Sequence, residues 1–197
     1  MIKRLFDIIF SFLGLIIISP FLLIVALLIK IDSKGPVFYR GERIGRFGKQ
    51  FRIFKFRTMV ENADKIGGPS TASDDPRLTG IGNFLKKYQV DELPQLINVL
   101  RGEMSLVGPR PEVRMYVDMM TEEEKKTILS VPQGMTDLAS LWDFHEGEVL
   151  KGSSDPEKIY QEKIRPKKIE LQKKYAQNHN FFLDLKIILK TILKIFS

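Results

Sequence analysis

Two adjacent carboxylates, Asp91 and Glu92, stand directly before Leu93-Pro94, and Gly108-Pro109-Arg110-Pro111 follows after one short apolar segment. Proline is favoured in the first turn of a helix, and Leu93, Leu96, Ile97 and Leu100 recur at helical spacing before Arg101-Gly102. The spacing predicts a helix that starts at the acids, with Asp91 near the N-cap, where free amides and the positive end of the dipole favour an ionised carboxylate. Such a terminus also suits a phosphate or a carboxylate-bound cation. An aspartate ahead of a proline is, by itself, most simply a cap. Arg110 adds a second element: prolines on both sides fix its backbone, and a guanidinium so held presents a preset fork to a pair of phosphate oxygens.

The chain that must position these groups has 197 residues, a net charge of +7, 44% hydrophobic residues and no cysteine. That is enough for one domain of ordinary core-forming capacity with an appendage. Disulfides and cysteine-based metal or nucleophile chemistry are excluded. The excess of 31 Lys+Arg over 24 Asp+Glu suits an anionic partner: nucleic acid, phospholipid headgroups or a phosphorylated substrate. Charge alone does not choose among them.

From Ile8 to Ile29 the chain carries no charge, a length that at ~1.5 Å per residue matches the ~30 Å hydrocarbon core of a bilayer. A cleaved signal peptide is disfavoured by the length of the run and by the lack of an Ala-x-Ala-like site. Ser19-Pro20 sits near its middle, and a proline there pushes against the carbonyl of Ile16 and kinks the helix. Each arm is then short for a span. Lys3 and Arg4 precede the run and Lys30 and Lys34 follow it, which would keep both ends cytoplasmic. A helix-break-helix entering and leaving by one leaflet satisfies these observations, and an ordinary kinked transmembrane helix remains open. At the other end, Phe181, Leu185, Ile188, Leu189, Ile192 and Phe196 recur at helical spacing, with Lys186, Lys190 and Lys194 on another face. That pattern fits a basic helix lying in an anionic headgroup layer. A helix packed on the protein's own core fits it too.

Between the two, "VFYRGERIGRFGKQFRIFKFRTM" predicts a short hairpin of about residues 37 to 44 and 50 to 57, turning at Gly45-Arg46-Phe47-Gly48. Residues 61 to 80 are rich in Gly, Ser, Asp and Pro and predict a long loop. "IGNFLKKY" reads as a short helix leading to the acids, Thr121 and Glu124 fit a capping box, and residues 155 to 177 suggest one or two charged helices broken near Pro166. The expected class is mostly α with a small β-hairpin, α+β. It divides into a re-entrant membrane helix hairpin (1–34), a cytoplasmic-face catalytic domain (35–180) and an interfacial basic amphipathic helix (181–197).

"KFRTM", "VDELPQLINVLRGEMSLVGPRP" and the N-terminal "FD" ahead of an apolar run with Ser-Pro resemble the bacterial sugar transferase family, the monotopic phosphoglycosyl transferases. The likeness extends over nearly the whole chain, and the combination of Asp-Glu-Leu-Pro-Gln with Gly-Pro-Arg-Pro is highly specific. The resemblance implies transfer of a phosphosugar from a UDP-sugar to a polyprenol phosphate, usually undecaprenyl phosphate, with release of UMP. It implies a magnesium requirement, a re-entrant helix broken at Ser19-Pro20, and placement at the cytoplasmic face of the bacterial inner membrane. It further implies that Asp91 attacks the β-phosphate to form an acyl phosphate, splitting one difficult displacement into two, with Glu92 as a second catalytic acid and Asp91 also the candidate metal ligand.

By the same resemblance Lys55, in "KFRTM", and Arg110 are expected to bind phosphate. Lys86 stands where an arginine is common in the family, keeping the charge and losing the fork. The larger departure is "VPQGMTDLASLWDFHEGEVL", where relatives have Arg-Pro-Gly-Ile-Thr-Gly-Leu-Ala-Gln. That region is expected to contact sugar or uridine; Trp142 is a candidate for stacking on either or for packing, and His145 reads as a surface or structural histidine. Membrane lipids and a second copy of the chain are the other partners expected. A nucleic-acid binder using Phe51, Phe54 and Phe56 among the basic residues of the hairpin would leave the acid pair without a role, and a non-catalytic scaffold would need neither the acids nor a rigid Arg110.

Overall fold

The computed structural model describes residues 2–68, 70–143 and 146–195. Its first element, α1 (Ile2–Asp32), is long and apolar enough to cross a membrane. Helical structure continues through Ser19-Pro20, so the expected break into two helices is a proline inside one helix. Pro20 cannot donate to the Ile16 carbonyl. The Ser19 hydroxyl donates to that carbonyl instead, at 2.9 Å, and the helix is kept.

One stripe of α1 is covered by the rest of the protein. Asp7, Ser11, Val25 and Ile29 are buried and Gly14, Ile18 and Leu22 partly so, a recurrence every three or four residues that defines a single helical face. The opposite face leaves Ile17, Leu23, Leu27 and Ile31 bare. Exposed apolar surface on that scale marks a membrane or partner contact rather than a soluble exterior.

The hairpin follows as β1 (Phe38–Tyr39), β2 (Glu42–Ile44), β3 (Gln50–Arg52) and β4 (Lys55–Phe56). β2 pairs with β3 and β1 with β4, both antiparallel. Tyr39 faces Lys55 and Arg43 faces Phe51, and the Ile53 amide donates to the Gly41 carbonyl at 3.0 Å between the two ladders, so they form one hairpin in one register. Phe56 of this hairpin packs with Val25 and Ile29 of α1 and with Leu85. Arg57 seals the contact: its guanidinium donates to the carbonyls of Ile29, Ser33 and Lys34, capping the end of α1 with a cation.

After the long loop come α2 (Gly80–Lys87), capped by Thr79, a 3-10 turn at Val90–Gln95, and α3 (Leu96–Arg101). β5 (Ser105–Val107), α4 (Arg114–Asp118) and α5 (Glu122–Ile128) follow, the last with the Thr121–Glu124 capping box in place. β6 (Gly134–Thr136) pairs with β5 in parallel, a contact that the sequence pattern does not announce. Then come α6 (Leu138–Trp142), α7 (Glu146–Leu150), α8 (Pro156–Ile159), a π turn at Tyr160–Ile164, α9 (Arg165–Asn178) with Pro166 in its first turn, and α10 (Phe181–Ile195). The architecture is mostly helical with small sheets, as expected.

α10 has two characters. Ile187 is buried with Tyr175, Ala176, Val107 and Val131, and Leu183 and Ile188 pack against them. Phe182, Leu189, Ile192 and Leu193 point outward, with Lys186 and Lys190 exposed beside them. The helix thus packs on the core and still presents an apolar stripe bordered by lysines. Phe196, the last residue of the expected pattern, lies outside the described residues.

Candidate active site

The segment carrying the acids begins after Gln89, whose φ of 54° turns the chain through the left-handed region. Asp91 is therefore not the cap of an α-helix; it lies inside the 3-10 turn, and α3 begins only at Leu96. Proline at position 94 has no amide to donate, which favours the tighter, shorter turn ahead of α3. The expectation that a helix terminus would favour the Asp91 carboxylate gives way to a different balance. Burial pushes its pKa up to about 6; the Lys55 ammonium opposes that rise and the Glu92 charge adds to it.

Lys55 is delivered by β4, whose neighbours are tied to α3 through Asn98. The Asn98 side chain accepts from the Phe54 amide at 2.8 Å and donates to the Arg52 carbonyl at 2.9 Å. Lys55 Nζ then lies 2.7 Å from Glu92 Oε1 and 3.8 Å from Asp91 Oδ2.

Arg110 is delivered by the β5–β6 pair. The Gly108 amide donates to the Thr136 carbonyl at 3.0 Å, and the Gly134 amide to the Pro109 carbonyl at 2.9 Å. A Cβ on Gly108 would come within 2.1 Å of the Pro132 carbonyl oxygen, and one on Gly134 within 2.0 Å of the Gly108 nitrogen, so two glycines are needed for this approach. The Arg110 fork closes on Glu92, with Nη1 at 2.9 Å from Oε2 and Nη2 on Oε1. Burial resists the Glu92 charge, but Arg110 and Lys55, by charge and hydrogen bond, hold its carboxyl well below the usual range.

The two neighbouring acids are thus unlike. Glu92 is a fixed anion between two cations. Asp91 meets Lys55 beyond hydrogen-bonding distance and faces a cleft of about 670 Å³. That cleft is lined by Lys55, Lys86, Asp91, Glu92 and Arg110, so the structure brings five predicted residues together. Lys86 stands further back, its Nζ donating to the Thr71 carbonyl at 2.9 Å. Ser19 and Pro20 belong to α1 and do not line it.

Residues without a sequence signal complete the cleft. Tyr116, hydrogen-bonded to Ser70 at 2.9 Å and to Glu157, forms one wall, and the Lys168–Asp143 pair at 3.6 Å another. Each joins segments far apart in the chain, so spacing could not have found them. Trp142 does not line this cleft; it borders a separate groove, which removes it as a stacking partner here. His145 lies outside the described residues.

Among the described residues, no group of three or more His, Cys, Asp or Glu side chains is placed to hold a metal ion. A divalent ion would have Asp91 and the oxygens of a phosphorylated substrate. That donor set fits magnesium, which commonly takes one or two carboxylates and completes its shell from substrate phosphates and water.

A Glu92 carboxylate clamped by Lys55 and Arg110 thus lies beside a second carboxylate in one cleft, in a chain led by a helix long and apolar enough to cross a membrane. The chain belongs to the bacterial sugar transferase family, which it matches over residues 1–197. It is 36% identical over 97% of its length to the UDP-N-acetylgalactosamine-undecaprenyl-phosphate N-acetylgalactosaminephosphotransferase of Aeromonas hydrophila, covering 43% of that protein. It is 40% identical over 98% of its length to the UDP-glucose:undecaprenyl-phosphate glucose-1-phosphate transferase of Klebsiella pneumoniae, covering 39% of it. With the exopolysaccharide production protein ExoY of Sinorhizobium fredii it shares 36% identity over 96% of its own length and 83% of the relative's. The chain therefore spans less than half of the first two relatives and most of the third.

Proposed function

We propose that this protein transfers a phosphosugar from a UDP-sugar to undecaprenyl phosphate, releasing UMP, at the cytoplasmic face of the bacterial inner membrane. The observation that carries the reading is the contrast between Asp91 and Glu92 in one cleft: a carboxylate that lines the cleft with Lys55 beyond hydrogen-bonding distance and a pKa raised to about 6, beside a carboxylate locked by Lys55 and Arg110. A carboxylate near neutrality is ionised at working pH and is basic enough to attack phosphorus.

In the first step an Asp91 oxygen bonds to the β-phosphorus as the bond from that phosphorus to the bridging oxygen breaks, and UMP leaves with the bridging oxygen. The product is an aspartyl phosphosugar. In the second, a phosphate oxygen of undecaprenyl phosphate bonds to the same phosphorus, the acyl-phosphate bond breaks, and Asp91 is restored as carboxylate. Lys55 and Lys86 bind the phosphates. Arg110 fixes Glu92, so that Glu92 holds Lys55 at the entering oxygens. Magnesium, held by Asp91 and the diphosphate, would neutralise charge on the leaving group.

Both ends of α1 contact the same body, through Asp7 near one end and Ile29 near the other. That supports a helix which enters and leaves by one leaflet, with Ser19 and Pro20 at its deepest point. The outward stripe of α10 supports an interfacial helix. Pairing of two copies through the bare face of α1 is compatible with this arrangement.

The test is to incubate detergent-solubilised protein with a panel of UDP-sugars, magnesium and undecaprenyl phosphate and to measure UMP. Donor-dependent UMP, abolished by EDTA, is expected; no UMP with any donor would refute the reading. Single cysteines at Ile2 and Ser33 should both be labelled from the cytoplasmic side only, and opposite labelling would establish a span.

A further inference from the structure

A second groove, of about 980 Å³, opens where α6, α9 and α10 meet. Its apolar lining is formed by Leu138, Leu141, Leu171 and Leu183, with the exposed Leu193 at its edge and Trp142 at its side. Lys174, Lys186, Lys190 and Lys194 line it as well, and no Asp or Glu does among the described residues. It is distinct from the catalytic cleft: none of its lining residues is shared with that cleft, and Thr191 of α10, hydrogen-bonded to Thr136 at 2.8 Å, faces the cleft.

The chemistry of the groove is that of an amphiphile with an anionic head. An apolar trough gains from covering by hydrocarbon, and Lys174, Lys186 and Lys190, in a groove whose described lining holds no acid, favour a phosphate at its rim. Lys194 already donates to the Leu141 carbonyl at 2.6 Å, which leaves Lys174, Lys186 and Lys190 as the outward members. The groove also continues the membrane-facing surface. Leu193 at its edge belongs with Leu189 and Ile192 to the exposed stripe of α10. At the start of α10, Phe181 meets Phe6 of α1 edge-on at 5.3 Å between ring centroids. The side chain of Trp142, 47% exposed, has the amphipathic character favoured at the headgroup level.

We propose that this groove holds an anionic glycerophospholipid of the leaflet, its acyl chain along the leucine lining and its phosphate among Lys174, Lys186 and Lys190. The proposal rests on the membrane placement given above and adds to it a discrete lipid site, separate from the site of the polyprenol phosphate. Its effect is to orient α10, and with it the Thr136–Thr191 wall of the cleft, against the bilayer.

Trp142 is the only tryptophan of the chain and so reports on this groove alone. The full chain is reconstituted in vesicles of phosphatidylcholine with a minor share of phosphatidylglycerol, the bromine label placed on one lipid or the other at equal bromine content. Quenching of Trp142 is expected to be several-fold stronger with brominated phosphatidylglycerol. In Lys186→Gln/Lys190→Gln that preference should fall about fivefold or more, since each lysine near the surface is worth roughly that factor for an anionic lipid. Lys174→Gln provides an independent variant on α9, and it should lower the preference in the same sense. Equal quenching by the two labels, a preference unchanged in both variants, or displacement of the quencher by undecaprenyl phosphate would each overturn the proposal. UMP release is read on the same vesicles: turnover without lipid preference refutes the lipid site alone, and lipid preference without turnover refutes the transferase reading alone.

Discussion

Two buried charge networks sit on either side of β5, and they are built on opposite terms. Under the start of α1, the Asp7 carboxylate accepts from the Ser105 hydroxyl at 2.8 Å and from the Leu106 amide at 3.1 Å. The Asp184 carboxylate accepts from Lys3 and, at 2.6 Å, from the Tyr175 hydroxyl, whose titration is pushed up by burial and by that carboxylate. Arg4 donates to the carbonyls of Val99 and Leu100 at 2.6 and 2.9 Å. Every carboxylate in this clamp is matched by hydrogen-bond donors, which is what a structural network requires. At the cleft, Glu92 is matched in the same way and Asp91 is not. Within the cleft's acid pair, Glu92 is held by its donors and Asp91 keeps a carboxylate that its neighbours do not saturate.

The strongest way to break that comparison is Asp91→Asn. UMP release should fall at least about 10³-fold, since a nucleophile has no substitute in the site. The same variant should be more stable than the parent at neutral pH. The folded pKa of Asp91 is raised above its ordinary 3.8 to about 6, so ionised Asp91 costs the fold stability above pH 6, and the cost is relieved as pH falls from 6 towards 4. Thermal unfolding checks this; a variant that is inactive because it is unfolded would remove Asp91 from the reactive side of the contrast. Arg110→Lys comes next. It keeps the charge but loses the fork on Glu92, and about a 10²-fold loss of turnover is expected from the misplacement of Glu92 and Lys55. Turnover at the parental rate would show that the bidentate contact is dispensable. The pH profile sharpens the contrast further. The acid limb of single-turnover UMP release should have its midpoint near pH 6, with about a tenfold loss one unit below it. A limb near pH 4 would mean that Asp91 behaves as an ordinary exposed carboxylate.

Much of this was legible in the sequence, and the limits have physical causes. The hairpin, the Thr121 capping box and the charged helices near Pro166 are encoded by neighbours, and their positions came out as expected. The five charged cleft residues were named because Asp91, Glu92 and Arg110 sit in two compact motifs and Lys55 and Lys86 match positions of the family that those motifs resemble. The coordination of Asp91 was not legible: a residue before a proline reads as a helix cap, and only the left-handed turn at Gln89 shows that the helix begins later. Nor was the β5–β6 pair, since parallel pairing leaves no turn signature and depends on Gly108 and Gly134 approaching across a long connection. The pairing of Arg110 with Glu92 follows from that contact. The break at Ser19-Pro20 was expected from the proline's push on the Ile16 carbonyl and from the family resemblance, whereas the Ser19 hydroxyl satisfies that carbonyl from the adjacent residue.

The smallest expected effect tests the structural side of the comparison. Asp7 holds β5 by two hydrogen bonds, and β5 leads directly into Gly108-Pro109-Arg110. Asp7→Asn keeps one acceptor and sets an amide against the other donor, so a stability loss of about 1–3 kcal/mol is expected. If the clamp serves the fold alone, UMP release per folded molecule should stay within about tenfold of the parent, because Arg110 is also held by the pairing of β5 with β6. Thermal unfolding and turnover measured on the same preparation separate the two. An unfolding temperature near the parent's with turnover reduced as far as in Arg110→Lys would show the reverse. The network under α1 would then be part of the machinery that sets Arg110 against Glu92, and saturation of a buried acid would no longer distinguish structure from catalysis in this fold.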